Sequence, residues 1–343
     1  MTEIESPQKL LARKLCPWLV ESLISLEAAL RANRLGHAWL LTGPAGSGKI
    51  NLALTFADRL LRGDSSAELP QTLSAAEAVS AMRDRHIPSD HHPDLHWIYP
   101  EEDKRNISVE QVRSVSQALT LTALQSQVKI VIIEPAEAMT SSAANALLKT
   151  LEEPTEDTYL LLLSHQPGRL AGTLRSRCQV LRLREPSAQA SKQWLDLPGA
   201  AAAAKDLGLG TQTPIQLAQS VSNDNIKDIN NIYTKLNEVS NNKLDPQLLA
   251  DEWLKLDLEL LLEWLAAQLQ GAIRARFLPQ ASNPFTDLRI GSLHNAWTAL
   301  TLNRLFEQLR GAERLRDQVG SGINVDLALR VLLLGFRSDR EPM

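Results

Sequence analysis

Two hydrophobic patterns divide the chain into a first part and a second part. Up to about residue 183, short apolar runs alternate with amphipathic helical patterns, which is typical of a parallel sheet with helices on its faces. From about Glu185 onward the strand pattern ends, and long runs rich in Leu and Trp predict helices only. We therefore predict an α/β domain followed by all-helical segments.

Five segments of the first part have the pattern of strands. The run "KIVII" at 129–133 is continuously apolar and β-branched, as expected of a strand that is buried on both faces. The other four predicted strands are "HAWLLT" at 37–42, "DLHWIY" at 94–99, "TYLLLLS" at 158–164 and "CQVLRL" at 178–183.

Helix starts are marked by capping residues. Ser108 followed by Gln111 forms a capping-box pattern and predicts a helix that runs toward Leu119. Thr140, or one of the two serines after it, caps a helix that stops before Pro154. Further helices are predicted after the glycine-rich loop, over about 75–82, near 199–207, over 248–270 and over 292–315.

We expect the chain to have three parts. The first, residues 1–183, is an α/β domain of P-loop type. The second, 184–224, is a small helical lid, and the third, 225–343, is an all-helical bundle, or collar, that mediates oligomerisation. The Leu- and Trp-rich helices of the third part carry more apolar surface than a lone bundle needs, although an internal core would also account for that surface.

Composition and charge exclude several classes of protein. A formal net charge of −4 argues against a chain that coats nucleic acid by bulk attraction. The chain has only 2 cysteines, too few for a disulfide scaffold or a four-cysteine zinc site, so we expect a reducing compartment. No signal-peptide pattern and no long uninterrupted apolar run is present, so we expect a cytoplasmic protein with no membrane contact.

The stretch "GPAGSGKI" at 43–50 resembles a phosphate-binding loop with one position changed. Gly43, Gly46 and Gly48 let backbone N–H groups surround phosphate oxygens, and Lys49 neutralises the phosphate charge. The next residue is normally a Ser or Thr whose hydroxyl binds Mg²⁺, but here it is Ile50. A strand precedes the loop and a helix follows it, so we predict descent from P-loop NTPases without magnesium chemistry.

A second change lies at the end of the predicted strand at 129–133. A working ATPase needs an acidic residue there for the metal shell and a second carboxylate to orient the attacking water. Glu134 occupies the vestigial acidic position, either as a residual metal contact or as a strand-end carboxylate that faces solvent. Pro135 follows it and has no side chain that accepts a proton. Ile50 and Pro135 both point to loss of hydrolysis.

The region from Ala143 to Cys178 resembles a known family. Its stretches "NALLKTLEEP" and "TYLLLLSHQPGRLAGTLRSRC" closely resemble the bacterial replicative clamp loader subunits of DNA polymerase III, which are AAA+ proteins. The resemblance extends to "CPWL", "HPDLHWIYPE" and "GSGINVDLALRVLLL", and so covers nearly the whole chain. Within that family the changes in the nucleotide site match the non-hydrolysing, delta-prime type of subunit.

The resemblance implies a role in DNA replication. It implies a five-subunit ring that opens a sliding clamp and places it on primed DNA, with this type of chain as the rigid stator. The implied partners are the gamma/tau ATPase subunits, the delta subunit, the clamp and, through the complex, primer-template DNA. Arg177, flanked by Ser176 and Cys178, matches the arginine that reaches a neighbour's ATP in trans. If the family resemblance is set aside, an arginine at position 177 is expected to form an ordinary surface salt bridge.

Three departures from the family pattern concern metal and nucleotide. Residues 62–91 lack the cysteines of the family's zinc module. His86, His91, His92 and His96 do not replace them, because no ligand spacing fits well. We therefore expect no metal.

At the sensor position Ser164 and His165 replace a Thr pair, and in the lid Pro214 and Ile215 stand where active relatives place an arginine. We expect weak or absent ATP binding and no cofactor. The rival hypothesis is a self-sufficient AAA+ ATPase with atypical metal ligation, acting in replication or repair.

Overall fold

The protein divides into two compact units. The structure, a computed structural model, describes residues 11–63, 68–83, 92–101, 104–184, 186, 190, 193–195, 215, 229–256, 258–277, 297, 300–319 and 324–337. The first unit comprises Met1–Leu195 with Gln212–Ala218, and the second comprises Asp196–Thr211 with Gln219–Met343. Most of the predicted lid at 184–224, the Ala-rich helix near 199–207 and the residue Pro214 lie outside the described residues, and the predicted three-part division stays a prediction.

The first unit is built on a parallel sheet of five strands. Its strands are β2 (Ala38–Thr42), β4 (Leu95–Ile98), β5 (Lys129–Ile133), β6 (Thr158–Ser164) and β7 (Gln179–Arg182). They are arranged in the order β4-β5-β6-β2-β7, and every neighbouring pair is parallel. All five strands were predicted from the apolar pattern, and the α/β fold class is confirmed.

Both faces of this sheet are buried. Successive residues of a strand point to opposite faces, so alternate residues of β5 and β6 enter two separate cores. One core contains Ile130, Ile132, Leu161 and Leu163, and the other contains the residues between them. The continuous apolar runs of these strands follow from this double burial.

Helices cover the two faces of the sheet. They are α1 (Val20–Arg31), α2 (Lys49–Arg62), α3 (Ala75–Arg83), α4 (Val109–Ala118), α5 (Ser141–Glu152) and the single turn α6 (Gly172–Arg175). The capping box predicted at Ser108 and Gln111 is present at the start of α4. Thr140 caps α5, where its hydroxyl accepts the N–H of Ala143 at 3.1 Å.

The N-terminal segment contains elements that the pattern did not predict. The two-residue strands β1 (Lys14–Leu15) and β3 (Gln71–Thr72) pair in parallel and form a second small sheet. Asn51 of α2, which is fully buried, fixes this segment: its side chain accepts the N–H of Cys16 at 2.9 Å and donates to the carbonyls of Leu11 and Lys14, both at 2.7 Å. Hydrogen bonds therefore hold the segment that precedes α1 against α2, the helix that follows the glycine-rich loop.

Two buried charged side chains fix the segment between α4 and β5. Lys129 donates to the carbonyl oxygens of Leu119 at 2.6 Å and Leu121 at 3.0 Å. Asp94 accepts the backbone N–H groups of Leu124, Gln125 and Ser126 at 2.6, 2.8 and 2.8 Å.

The hydrogen bonds to Asp94 also determine its acidity. Burial by itself raises the pKa of this carboxyl, but the three backbone N–H groups and the Ser126 hydroxyl outweigh burial and lower the pKa to about 2. Asp94 is therefore ionised at neutral pH, with its charge stabilised by the segment that it fixes.

The second unit is helical throughout the part that the structure describes. Its helices are α7 (Ile229–Ser240), α8 (Pro246–Trp253), α9 (Leu258–Phe277), α10 (Leu302–Gln318) and α11 (Val325–Leu334). Trp297 stacks on Phe336, with ring centroids 5.5 Å apart, and α9 packs along α10. The predicted helical bundle is confirmed in these residues. The helical run predicted over 248–270 is divided between two helices, since α8 ends at Trp253 and α9 starts at Leu258.

Among the described residues, none of the helices combines the length and the apolar character that crossing a membrane requires.

We predict that Asp94→Asn lowers the free energy of unfolding by about 2 kcal/mol, because an amide replaces a carboxylate that accepts several backbone N–H groups. The pKa of Asp94 is lower in the folded chain than its ordinary value of 3.8, so this stabilisation is complete above about pH 4 and is lost as the pH falls toward 2. Denaturant unfolding at pH 7 and at pH 2.5 measures both effects.

The matched control is Glu156→Gln, which neutralises an exposed carboxylate of the same unit. It should leave the unfolding curve within about 0.5 kcal/mol of the parent at both pH values. Equal effects of the two variants would contradict the role assigned to Asp94.

Candidate functional site

The phosphate-type loop joins β2 to α2 at the carboxyl edge of the large sheet. Gly46 and Gly48 have φ values of 73° and 87°, in the left-handed region that favours glycine. A Cβ atom on Gly48 would lie 2.8 Å from Cδ1 of Leu19 and 3.5 Å from Cδ1 of Ile215. Glycine is therefore required at Gly48 both by the backbone conformation and by the close packing around it.

The side chain of Lys49 turns back into its own loop. Its ammonium group donates to the carbonyl oxygens of Gly43 at 2.8 Å and Pro44 at 2.7 Å, and it lies 3.4 Å from the Ser47 hydroxyl. Lys49 is only 3% exposed. The cation that a phosphate loop offers to phosphate is here bound by two backbone carbonyls of that same loop.

Two carboxylates lie near this ammonium group. Burial lowers the pKa of Lys49 to about 8, against an opposing effect of the negative charges of Glu134 and Glu137, which raise it. The half-buried carboxylate of Glu134 therefore interacts electrostatically with Lys49. Glu137, which the sequence analysis did not identify, accepts the backbone N–H groups of His165 at 2.9 Å and Gln166 at 3.0 Å, and so fixes the loop after β6.

The predicted sensor position lies next to the loop. Ser164 ends β6 opposite Thr42 of β2, and its carbonyl accepts the N–H of Gly43 at 3.3 Å. The hydroxyl groups of Ser164 and Thr42 are buried and have no hydrogen-bond partner within the described part of the chain. These two hydroxyls lie near the loop, as do the carboxylates of Glu134 and Glu137.

Ile50, by contrast, belongs to the hydrophobic core. It is 9% exposed and packs in the same core as Ile215, which is 1% exposed. Ile50, which follows the loop lysine, and Ile215, one of the two lid residues noted in the sequence, are therefore both buried aliphatic side chains. Trp18 packs over the loop as well, donating its indole N–H to the Ser47 carbonyl at 2.9 Å.

Arg177 lies on the surface, between α6 and β7. Its side chain is 35% exposed, and one terminal nitrogen forms an ion pair with Glu152 at 2.5 Å. The other terminal nitrogen donates to the Thr173 carbonyl at 2.9 Å. The single chain thus contains the surface salt bridge that the residue type alone predicts for Arg177. The role in trans concerns a neighbouring subunit and stays a prediction.

The residues on either side of Arg177 fix its backbone. The hydroxyl of Ser176 donates to the Thr173 carbonyl at 3.1 Å. Cys178 packs against the core on one face of the sheet, and burial raises the pKa of its thiol to about 11. Cys178 is therefore a neutral packing residue at physiological pH.

A metal centre is not formed by the described residues, among which no group of three or more His, Cys, Asp or Glu side chains could hold a metal ion. His86 and His91 lie outside the described residues. Nδ1 of His92 lies 3.8 Å from a carboxylate oxygen of Asp94. Burial lowers the pKa of His96.

We predict that the Lys49 ammonium titrates near pH 8, well below its ordinary value of 10.5, because it is buried. The unfolded chain binds more protons than the folded chain between these two values, so the Lys49 contribution makes the fold more stable as pH rises from 8 to 10.5. NMR of the Lys49 side chain as a function of pH measures this pKa directly.

Two charge variants test the environment assigned to Lys49. Glu134→Gln and Glu137→Gln should each lower the Lys49 pKa further, because each removes a negative charge that raises it. Glu153→Gln, on an exposed residue, should leave it unchanged. A Lys49 titration near 10.5 in the parent chain would contradict the buried, loop-bound position.

The comparison with known proteins extends over most of the chain. Residues 20–187 match a family model described as "DNA polymerase III, delta subunit". DNA polymerase III subunit delta' of Pseudomonas aeruginosa is 37% identical over 243 residues, which is 69% of this chain and 72% of that protein. Subunit delta' of Escherichia coli is 34% identical over 179 residues, which is 52% of either chain.

Among solved structures, a DNA polymerase III gamma subunit-related protein from Thermotoga maritima covers 91% of this chain and 97% of its own, with a TM-score of 0.41 and 18% identity. The sequence relatives decide the assignment, and they confirm the resemblance carried by the segment around Arg177. The chain belongs to the family of DNA polymerase III delta' subunits.

Proposed function

We propose that this protein is the non-hydrolysing stator subunit of a DNA polymerase III clamp loader. In this proposal it packs in a ring beside gamma/tau ATPase subunits and the delta subunit, and helps to load a sliding clamp onto primed DNA. Its own phosphate loop does not turn over ATP. Arg177 completes the ATP site of a neighbouring subunit.

The contrast between the two candidate cations carries this proposal. Lys49 is buried and donates to carbonyls of its own loop, whereas Arg177 is on the surface with its guanidinium reachable from outside. A guanidinium delivered to a neighbour's γ-phosphate stabilises the charge that develops during phosphoryl transfer. The exposed cation is therefore the one suited to phosphate chemistry.

The absence of a hydroxyl after Lys49 supports the same proposal. Ile50 packs in the core, so a magnesium ion at this loop would lack the ligand that the Ser or Thr hydroxyl normally provides. Glu134 and Glu137 are near the loop, but Glu137 already accepts two backbone N–H groups. Restoring a magnesium shell here would require a change in the packing of α2.

The last described helix supports membership of a larger assembly. Leu327, Val331 and Leu334 of α11 are 59%, 61% and 46% exposed and share one helix face, since their spacing is four and three residues. Other leucines of the same helix, at 329, 332 and 333, are buried. An apolar row left at the surface of a helix that already contributes to the core is typical of a subunit interface.

We predict that Arg177→Ala lowers ATP turnover about 10³-fold at the one site that this subunit completes in the reconstituted complex. In an assay of ATP turnover stimulated by clamp and DNA, the total rate of the complex should fall by the amount that this one site contributes. Arg175→Ala, which removes an exposed arginine two residues away, is the matched control and should retain full activity. Unchanged turnover in the Arg177→Ala complex would refute the role in trans.

We also predict that Val331→Asp weakens incorporation into the complex about tenfold or more, because it places a charge in the middle of an apolar interface. The variant should keep the thermal stability of the isolated chain, since Val331 is already exposed. Asn303→Asp adds the same charge to an exposed position of α10 and should assemble normally. Size-exclusion chromatography of the reconstituted mixture compares them, and equal assembly by both variants would argue against an interface on α11.

A further inference from the structure

The ion pair between Glu152 and Arg177 lies at a position where helix stability does not favour an acidic residue. Glu152 is the last residue of α5, and Glu153 follows it as the C-cap. The carboxyl end of a helix carries partial negative charge, so an acidic side chain there is repelled by the helix dipole. The helix dipole therefore does not favour Glu152, whereas its ion pair with Arg177 is a favourable contact.

Two contacts hold the guanidinium of Arg177, one from a carboxylate and one from a backbone carbonyl. Its ion pair with the Glu152 carboxylate measures 2.5 Å, and its hydrogen bond to the Thr173 carbonyl measures 2.9 Å. These contacts engage the two terminal nitrogens, one each. Among the described residues, the Nε–H group has no partner, and each terminal nitrogen carries a second hydrogen. Donors therefore remain for a phosphate oxygen while the side chain is held.

The ion pair between Arg177 and Glu152 is partly exposed to solvent, which limits its contribution to folding stability. The side chains of Arg177 and Glu152 are 35% and 51% exposed, and an ion pair in that environment contributes little to folding. It does restrict an arginine side chain, which otherwise samples many rotamers and loses that freedom when it binds. A neighbouring subunit that covers the pair would exclude water and strengthen it.

We infer that Glu152 is a positioning residue for Arg177: together with the Thr173 carbonyl it holds the guanidinium in one orientation, ready for the neighbour's nucleotide. This inference rests on the proposed function for its use in the ring. The contacts of Arg177 with Glu152 and with the Thr173 carbonyl lie within one chain, so they can be tested in the isolated protein.

The first part of the test uses the isolated full chain. NMR of the Arg177 Nε–H group reports its order and its chemical shift. In Glu152→Gln the signal should become more mobile and shift toward that of an unrestrained arginine. Glu153→Gln removes the same charge from the adjacent exposed residue and should leave the signal unchanged. An Arg177 signal that is identical in the parent, Glu152→Gln and Glu153→Gln chains would overturn the positioning role.

The second part uses the reconstituted complex and separates kcat from KM. Glu152→Gln should lower kcat at the completed site about fivefold to tenfold and leave KM for ATP unchanged, as expected for a group that organises the transition state through another residue. Glu153→Gln should match the parent. Glu152→Gln combined with Arg177→Ala should be no slower than Arg177→Ala alone. A further drop in the double variant would mean that Glu152 acts elsewhere and would overturn the inference.

The two parts separate this inference from the proposed function. If Arg177→Ala leaves turnover unchanged, the role in trans fails, whatever the NMR result. If Arg177→Ala abolishes the site's share but Glu152→Gln behaves like Glu153→Gln in kcat, the role in trans survives and the positioning role is overturned.

Discussion

The ammonium group of Lys49, bound by the carbonyl oxygens of Gly43 and Pro44, determines how the phosphate loop of this protein can be used. A lysine in such a loop is useful to a nucleotide when its charge is available to phosphate oxygens. Here the charge is buried and already satisfied, and binding a phosphate would require these hydrogen bonds to be exchanged for new ones. The loop keeps its shape because Gly48 is packed tightly and the strand and helix on either side are core elements.

Two cations of the same chain are therefore in opposite environments. Lys49 is buried and has a pKa lowered to about 8, whereas the guanidinium of Arg177 is at the surface. The sequence already favoured Arg177, because Ile50 follows Lys49 and Arg177 lies in the stretch that resembles the clamp loader subunits. Burial and hydrogen bonding therefore distinguish a cation that is bound within its own loop from a cation at the surface.

Local signals predicted most of the fold, and contacts between distant residues remained hidden. The caps at Ser108 and Thr140 act within one helical turn, so the residue types and their spacing were sufficient. Asn51 binds the Leu11 carbonyl 40 positions away, and nothing in the local pattern specifies such a partner. Its only signal was a polar residue within an apolar helical stretch. Glu152 belongs to the stretch that carried the family resemblance, but its partner became evident only once α5 and α6 were placed side by side.

In the proposed function, this chain serves ATP bound by another subunit and does not turn over ATP itself. Steady-state ATP turnover by the purified full-length chain, measured beside Lys49→Ala, tests it most directly. We expect no turnover above background in either sample, at protein concentrations where the assembled ring is active. Turnover by the parent chain that Lys49→Ala abolishes would contradict it and establish a self-sufficient ATPase.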